Sequence, residues 1–288
     1  MKGRCHPCCL SDMAGDGKTR HTGTMNAASL AECMAQHQCP GLGLAVVRDN
    51  QVIQTRTLGR RICDDPAPVD ANTLFQAASI SKTLNALGAL MLADEGRLAL
   101  DGDINDCLRG WKLQGGKVTL RQLLSHTAGT NVPHFPGYAR HAPQPALIGV
   151  LNGKKPETNT DPVRIVQAPG DGYAYSGGGT TIVQLAIEET TGKPYAEWMR
   201  EHVLLPLGMA RSTFARPQDS DNVARGHIQG RTVEGGWRIH PELAAAGLWT
   251  TATDLAVLIV GINKMLEGEE GGLLHPAQAR DMIRPHVR

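Results

Sequence analysis

Two residue types that can form a nucleophile and its base lie three positions apart near residue 80. The run Ser79-Ile80-Ser81-Lys82 has the S-x-x-K pattern, and residues i and i+3 of a helix project from the same face. A serine hydroxyl is a weak nucleophile until a base removes its proton, and a nearby lysine amine can be that base. A helix that begins here also places its positive dipole end near a developing oxyanion. Such a tetrad arises by chance as well, so it indicates catalysis only together with a second feature.

The second candidate is the run Tyr173-Ala174-Tyr175-Ser176-Gly177-Gly178-Gly179. We expect its three glycines to form a turn that faces a substrate, because glycine permits close backbone approach and positive φ. A tyrosine held there beside a lysine can act as a phenolate base or as a proton shuttle. The alternative is that the tyrosine is a half-buried aromatic anchor of the loop.

Other common catalytic and metal-binding motifs are missing from the sequence. Gly17-Lys18-Thr19 resembles the end of a phosphate-binding loop, but Asp12 occupies the position of its first glycine. The sequence has no G-x-S-x-G elbow and no H-x-H or H-E-x-x-H pair, which disfavours an ordinary α/β-hydrolase and a hydrolytic metal site. The cluster Cys5-His6-Pro7-Cys8-Cys9 lacks a second Cys/His pair at zinc-finger spacing, so we expect no metal and no cofactor.

The composition excludes several other classes of protein. The chain has 288 residues with 29 Lys+Arg against 28 Asp+Glu, a net charge of +1, so a nucleic-acid partner is not expected. Its apolar runs are shorter than the ~18–20 residues that cross a bilayer. The seven cysteines are an odd number, and the N-terminal region lacks the apolar core of a secretion signal. We therefore expect a cytoplasmic protein with reduced cysteines and without a membrane span.

The hydrophobic pattern predicts a hairpin followed by helices. Residues 1–26 have no apolar period and are expected to be a disordered tail, and a helix is expected over 27–37. The β-rich runs 42–47 and 51–58 are joined by the turn Arg48-Asp49-Asn50. The period then changes to that of a helix, which begins at Ser79 and should stop at Gly96.

The second half of the chain is predicted to be mainly helical. Residues 127–172 are rich in proline and show no period, so they read as one long loop. Thr119 and Thr253 are the expected N-caps of the first and last of these helices. The expected helices cover residues 118–126, 180–191, 194–204 and 253–266.

Five segments, taken together and in order, resemble one protein family. They are Phe75-Gln76-Ala77-Ala78-Ser79-Ile80-Ser81-Lys82-Thr83, Leu120-Arg121-Gln122-Leu123-Leu124-Ser125-His126-Thr127-Ala128-Gly129, Tyr175-Ser176-Gly177, Pro206-Leu207-Gly208-Met209 and Gly247-Leu248-Trp249-Thr250-Thr251-Ala252-Thr253-Asp254-Leu255. The resemblance is to the serine β-lactamase and penicillin-binding superfamily. It is strongest to the class C-like branch, which contains class C β-lactamases, DD-peptidases and family VIII carboxylesterases. It covers about residues 28–288.

The resemblance implies a β-lactamase/transpeptidase-like fold of the α/β (α+β) class. An antiparallel sheet region would lie beside an all-helical subdomain. In this sequence the hydrolase domain would cover residues 27–288. Its α/β part would be formed by about 27–82 and 241–288, and its helical insertion by about 83–240.

The resemblance also implies a role for each residue of the two motifs. Ser79 would be the acylated nucleophile, and its backbone N–H would form half of an oxyanion hole. Lys82 would deprotonate it or hold its partner in the charged state. Tyr175, preferred to Tyr173 because it begins the Tyr-Ser-Gly triplet, would pass a proton to the leaving group and activate the deacylating water. The sequence leaves open whether Lys82 or Tyr175 is the primary base.

Two departures from the family pattern bear on substrate and activity. The family's Tyr-x-Asn triplet ends here in Gly177, which removes a substrate-binding amide, disfavours a specifically β-lactam substrate and leaves esters or small acyl compounds open. Small esters are slightly favoured because no export signal places the protein near peptidoglycan. No Lys-Thr-Gly or His-x-Gly strand is found beyond Tyr175, so the chain is expected to lack the family's last strands and the second oxyanion donor. A hairpin without those strands would leave a sheet edge open to self-association.

The sequence therefore predicts a metal-independent serine acyl hydrolase that acts on a small-molecule ester, a β-lactam or a D-alanyl peptide. Gly177, Gly178 and Trp249 are the candidate substrate-binding residues, and Trp249 would line the site. The alternative is a truncated, catalytically impaired relative that binds acyl ligands or a partner chain. Loss of the third motif favours that alternative, whereas the intact Ser79, Lys82 and Tyr175 set favours activity.

Overall fold

The described part of the chain begins with one helix and an antiparallel hairpin. The computed structural model describes residues 27–218 and 221–287, so the predicted tail at 1–26 lies outside it. Helix α1 (Ala27–Gln36) leads into β1 (Gly41–Arg48) and β2 (Gln51–Gly59), which pair along their whole length. The turn residues Asp49 and Asn50 have φ angles of 50° and 55°, and a type I′ turn requires positive φ at both positions. The predicted hairpin is confirmed.

The other strands are pairs of two-residue segments, and all three pairs are antiparallel: β3 with β8, β4 with β7 and β5 with β6. They are β3 (Phe75–Gln76), β4 (Tyr138–Ala139), β5 (His227–Ile228), β6 (Arg231–Thr232), β7 (Arg238–Ile239) and β8 (Trp249–Thr250). The other helices are α2 (Ser81–Asp94), α3 (Leu120–Leu124), α4 (Leu147–Leu151), α5 (Gly177–Thr191), α6 (Tyr195–Met199), α7 (Leu205–Leu207), α8 (Leu243–Ala246), α9 (Ala252–Glu267) and α10 (Pro276–Ile283). A 3₁₀ turn covers Ile104–Asp106, and a π-helical turn covers Arg200–Leu204 between α6 and α7.

Helices α2 and α5 lie at the centre of the hydrophobic core. Leu87 of α2 and Ile182 of α5 are completely buried in one cluster. Gly88 allows α2 to approach α6 closely, because a Cβ at this position would lie 2.9 Å from the Met199 sulfur. Burial of one such aliphatic side chain contributes about 1.5–3 kcal/mol, so this packing fixes the helix that carries Lys82.

Helix α9 packs on the hairpin and holds its turn. The Asn50 carboxamide donates to the Glu267 carboxylate at 2.9 Å and accepts from the Asn263 side chain at 2.8 Å. At the other end of the helix, a Cβ on Gly43 would lie 3.3 Å from the Ala252 side chain. Among the described residues β1 pairs only with β2. Self-association through the other edge of β1 stays a prediction.

Two segments differ from the prediction because their secondary structure depends on tertiary contacts that the sequence pattern does not show. Residues 127–172 are not one loop, since they contain β4 and α4. The glycines at 177–179 do not form a turn with positive φ; they are the first turn of α5. Each lies where a Cβ would approach the 130–135 loop or its neighbours to 3.0 Å or less, so close packing explains them.

The helix caps follow the predicted residue types with one shift. Thr119 caps α3 in a complete capping box with Gln122. The predicted cap Thr253 lies inside α9, and Thr251 takes that role by accepting from the Asp254 N–H. The Asp254 carboxylate accepts from the Ser212 hydroxyl at 2.7 Å, so it ties the start of α9 to the segment that follows α7.

The mixed α/β class with antiparallel pairs and a large helical region is confirmed, whereas the division into two parts at residues 83 and 240 stays a prediction. None of the helices in the described ranges has the length and apolar character needed to cross a membrane. Within the same ranges, no three His, Cys, Asp or Glu side chains are grouped as a metal site would require.

The core packing predicts a large difference between two leucines. Leu87→Ala should lower the free energy of unfolding by about 2–5 kcal/mol, because it leaves a cavity around a fully buried site. Leu205→Ala, at a side chain that is 41% exposed, should change it by less than about 1 kcal/mol. Urea denaturation of both variants measures this difference, and equal losses would contradict the placement of α2 in the core.

Candidate active site

The structure brings the three predicted catalytic side chains together at one oxygen atom. The Ser79 Oγ lies 3.1 Å from the Lys82 Nζ and 2.9 Å from the Tyr175 hydroxyl oxygen. Ser79 and Tyr175 are 96 residues apart in the chain, so this contact depends on the tertiary fold. The arrangement places two groups that can exchange protons within hydrogen-bond reach of one hydroxyl, which is what activation of a serine hydroxyl requires.

Ser79 lies in a tight turn between β3 and α2. Ala78 has a φ of 45°, an uncommon conformation for a residue with a side chain. The Ala77 N–H donates to the Leu248 carbonyl at 2.9 Å, and the Lys82 N–H donates to the Ser79 carbonyl at 3.1 Å. The turn thus anchors Ser79 to the β8 side of the site and places it just before the first turn of α2.

Ser81 holds this turn from beneath. Its side chain is completely buried, donates to the Ala78 carbonyl at 2.5 Å and accepts from the Leu248 N–H at 3.0 Å. Two bonds from one hydroxyl therefore join the turn to the strand behind it. Loss of such a buried donor–acceptor pair leaves backbone groups unsatisfied, which costs about 1–3 kcal/mol each.

Lys82 is oriented by a second acceptor on another element. Its Nζ donates to the Ala245 carbonyl of α8 at 2.7 Å in addition to contacting Ser79. The same nitrogen lies 5.1 Å from the centroid of the Tyr175 ring. Helix α8 thus helps to hold the ammonium group between the Ser79 hydroxyl and the Tyr175 ring.

The environment of Tyr175 favours its ionised form. Burial raises the pKa of the phenol, but hydrogen bonds with Lys82 and Ser79 and the Lys82 charge outweigh that effect, so the net pKa lies below 10. A phenol with a lowered pKa is a better base near neutral pH. This shift agrees with the base or shuttle role that the sequence predicts.

His126 lies against the Tyr175 ring. The two ring centroids are 4.6 Å apart, and the His126 Nδ1 accepts from the Ser176 N–H at 3.2 Å. Burial and then the Lys82 charge lower the pKa of His126 to about 4, so the imidazole is neutral near pH 7. This contact with Tyr175 depends on the tertiary fold, because the two residues are far apart in the chain.

Gly177 and Gly178 are buried behind the tyrosine. A Cβ on Gly177 would lie 3.0 Å from the Phe135 ring, and one on Gly178 would lie 2.9 Å from the Asn131 carbonyl oxygen. A side chain at position 177 would therefore require its neighbours to shift by a few tenths of an ångström. These glycines allow the helix that follows Tyr175 to approach the 130–135 loop.

Trp249 is a buried neighbour of the cleft rather than an exposed lining residue. It is 4% exposed and contacts Trp237 edge to face, with centroids 5.4 Å apart. A cleft of about 350 Å³ lies beside the turn that carries Ser79, between β1, β3 and the start of α9. Ala77 and Ile80, which flank Ser79 closely in sequence, line this cleft.

A buried acid precedes α8, the helix whose Ala245 carbonyl accepts from Lys82. Glu242 is completely buried, and neither carboxylate oxygen has a hydrogen-bond partner among the described residues. Its Oε2 lies 3.9 Å from the His240 Nδ1. Burial raises the pKa of Glu242 to about 7, and burial followed by the Lys82 charge lowers the pKa of His240 to about 4.

Several residues that shape the site carry weak sequence signals. Ser81 lies inside the tetrad, and only its burial distinguishes it from any other helix residue. Ala245 acts through its carbonyl, so its side chain gives no indication. A glutamate is normally expected on the surface, and the burial of Glu242 becomes visible only when α8 packs against α5.

The chain belongs to the β-lactamase family: the Beta-lactamase domain description matches residues 26–288. The fold and the cluster at Ser79 described above agree with this membership.

Among its relatives, penicillin-binding protein 4* of Bacillus subtilis is 27% identical over 205 residues, which is 67% of this chain and 43% of that protein. Lovastatin esterase of Penicillium rubens is 27% identical over 274 residues, covering 83% of this chain and 65% of the esterase. An octameric penicillin-binding protein homologue from Pyrococcus abyssi has a similar structure, with a TM-score of 0.71 and 26% identity over 88% of this chain and 58% of that one. The chain thus spans less than two thirds of the length of each of these proteins.

The buried Glu242 predicts a specific pH dependence of stability. Its pKa is raised by folding from 4.5 to about 7, so the folded state holds its proton more tightly. That stabilisation is complete below about pH 4.5 and is lost as the pH rises through about 7. Glu242→Gln resembles the protonated acid and does not titrate. Its free energy of unfolding, relative to that of the wild type, should therefore rise by about 3 kcal/mol as the pH increases from 5 to 8.

The comparison requires urea denaturation at several pH values. Glu270→Gln, at an exposed glutamate, is the matched control and should show a constant difference from the wild type. A constant difference for Glu242→Gln as well would show that the carboxyl is not buried as described.

Proposed function

We propose that the chain is a serine acyl hydrolase that forms a covalent acyl-enzyme on Ser79. The contact of the Ser79 Oγ with both the Lys82 Nζ and the Tyr175 hydroxyl, at 3.1 and 2.9 Å, carries this proposal. Membership of the β-lactamase family supports it, and so do the esterase and penicillin-binding names of two relatives.

In the proposed acylation step, the Tyr175 phenolate takes the Ser79 proton while the Oγ attacks the substrate's carbonyl carbon. Lys82 remains close to both oxygens and stabilises the negative charge that passes between them. Collapse of the tetrahedral intermediate breaks the bond to the leaving group, which receives the proton from Tyr175.

In the proposed deacylation step, Tyr175 takes a proton from a water molecule that attacks the acyl carbon. The Ser79 Oγ leaves and receives that proton from Tyr175, which restores the phenolate and the Ser79 hydroxyl of the starting state. The Ser79 N–H is the proposed oxyanion donor. It makes no hydrogen bond to the described part of the chain and so has its donor available.

We propose small esters as the preferred substrates, with β-lactams and D-alanyl peptides as the alternatives. The tight packing at Gly177 supports this choice, because even a Cβ there would lie 3.0 Å from the Phe135 ring and 3.2 Å from the Pro133 carbonyl oxygen. A site without that amide lacks a donor and acceptor for the amide group of a β-lactam side chain or peptide. We assign Gly177, Gly178 and Trp249 to the support of the cleft walls, behind the atoms that touch the acyl group.

Covalent labelling tests the proposal directly. Purified protein is treated with a fluorophosphonate and, separately, with benzylpenicillin. The fluorophosphonate should add the mass of one adduct per chain, and an adduct with benzylpenicillin would extend the substrates to β-lactams. Ser79→Ala should gain none, and Ser125→Ala, at a serine that bonds the Arg121 carbonyl, should label as the wild type does. Intact-mass spectrometry measures the adduct, and p-nitrophenyl acetate hydrolysis measures turnover.

Each outcome has one meaning. Labelling with ester turnover supports the hydrolase, and labelling without turnover supports an impaired relative that binds acyl ligands. Failure of folded wild-type protein to label, or equal labelling of Ser79→Ala, would refute the proposed nucleophile.

A further inference from the structure

Helix α3 ends with a histidine at the position where a glycine is usually found. Ser125 caps the helix, and His126 follows it with a φ of 57°. The His126 N–H bonds the Leu123 carbonyl and the Thr127 N–H bonds the Gln122 carbonyl, which is the Schellman pattern. A non-glycine residue in this conformation is strained by about 1 kcal/mol, so the end of the helix alone does not explain a histidine at this position.

The contacts of His126 supply that reason, because they lie on both sides of Tyr175 in the chain. The His126 carbonyl accepts from the Ala174 N–H at 2.8 Å, and its Nδ1 accepts from the Ser176 N–H at 3.2 Å. The imidazole ring packs on the Tyr175 ring between these two bonds, with centroids 4.6 Å apart. One residue thus holds the residue before, the residue after and the ring of the tyrosine itself.

The bond to Ser176 also continues into α5. The Ser176 Oγ accepts from the Gly179 N–H at 2.9 Å and donates to the Asn131 carbonyl at 2.6 Å. Ser176 is therefore fixed on its N–H by His126 and on its hydroxyl by the helix that follows.

We propose that His126 is the positioning residue of this site, and that its ring Nδ1 and aromatic face hold the Tyr175 phenol at the Ser79 Oγ. The inference rests on the proposed function only for its catalytic consequence, since the hydrogen bonds exist whether or not the protein turns over a substrate. Because Nδ1 accepts, the neutral ring carries its proton on Nε2. His126 therefore acts through Tyr175 and not as a second base.

Two substitutions separate the acceptor from the strain and from the ring. His126→Gly keeps the positive φ, relieves the strain at the end of α3 and removes both the acceptor and the ring, so the variant should remain folded. His126→Asn also tolerates this conformation and places an acceptor oxygen on Cγ, where Nδ1 is attached in histidine. It restores the bond to Ser176 without the ring.

Gln229→Gly is the matched control. Gln229 is exposed, has a φ of 50° and lies in the turn between β5 and β6. Gln229→Gly therefore relieves the same kind of backbone strain at a position far in the chain from Ser79 and Tyr175. Its labelling rate should equal that of the wild type.

The first readout is the rate of Ser79 labelling by a fluorophosphonate from pH 5 to 10. His126→Gly should label about 10–100-fold more slowly near pH 7, because a small displacement of a catalytic group has an effect of this size. Its rate should also rise at higher pH than in the wild type, since Tyr175 loses the contacts with Lys82 and Ser79 that lower its pKa. His126→Asn should recover most of the rate. The titratable groups nearest Tyr175 are Lys82, His126 and His134, and the first and last are the same in all variants.

The second readout does not depend on activity. Hydrogen exchange measured by NMR should be at least tenfold faster at the Ser176 amide in His126→Gly than in the wild type or in His126→Asn. The Ala77 amide, which donates to the Leu248 carbonyl, is the internal reference and should not change.

The two readouts distinguish failure of this inference from failure of the proposed function. If His126→Gly labels at the wild-type rate and pH, or if its Ser176 amide stays protected, His126 does not position Tyr175 and the inference is wrong. If the wild type does not label but Ser176 exchange rises in His126→Gly, the positioning holds and the hydrolase proposal fails.

Discussion

The Lys82 ammonium group is the charge on which the other side chains of this site depend. It contacts the Ser79 Oγ and the Ala245 carbonyl, and it lies beside the Tyr175 ring. Its hydrogen bond and charge help to lower the pKa of Tyr175, and its charge adds to burial, the larger cause, in lowering the pKa values of His126 and His240. A single positive charge in a partly buried site therefore favours a phenolate next to Ser79 and, together with burial, opposes a second cation. The same charge makes the position of α2 decisive, because Coulomb interactions at these distances change steeply with separation.

The rest of the fold can be understood as the means of holding that charge, the hydroxyl and the phenol at one point. The core around α2 fixes the lysine, and the buried Ser81 fixes the strained turn that carries Ser79. The glycines at the start of α5 let it pack against the 130–135 loop, and His126 holds Tyr175 at the start of the same helix. Each support comes from a different segment of the chain, so the site forms only when the tertiary structure does.

The sequence predicts the local features of this protein well because they depend on neighbouring residues. The hairpin turn at Asp49 and Asn50, the cap at Thr119 and the spacing of the S-x-x-K tetrad are all of this kind. The glycines at 177–179 were predicted to be a turn, and the reason for the error is that their need for close packing comes from a loop some 45 residues earlier. The partners of His126 and the burial of Glu242 likewise depend on contacts that no local pattern encodes. The resemblance of the motifs predicts that Ser79 and Tyr175 share one site, and the tertiary structure gives the distance between their side chains.

The ionisation of Tyr175 is the most direct test of this account. The protein has four tyrosines, so ¹³C labelling at tyrosine Cζ gives an NMR spectrum in which Tyr175→Phe assigns the signal. We expect Tyr175 to titrate below pH 10 in the wild type and at a higher pH in Lys82→Met, where burial is opposed by the Ser79 hydrogen bond alone. A Tyr175 signal that titrates at or above pH 10 in the wild type, or that is unchanged by Lys82→Met, would contradict the coupling of these two residues at Ser79.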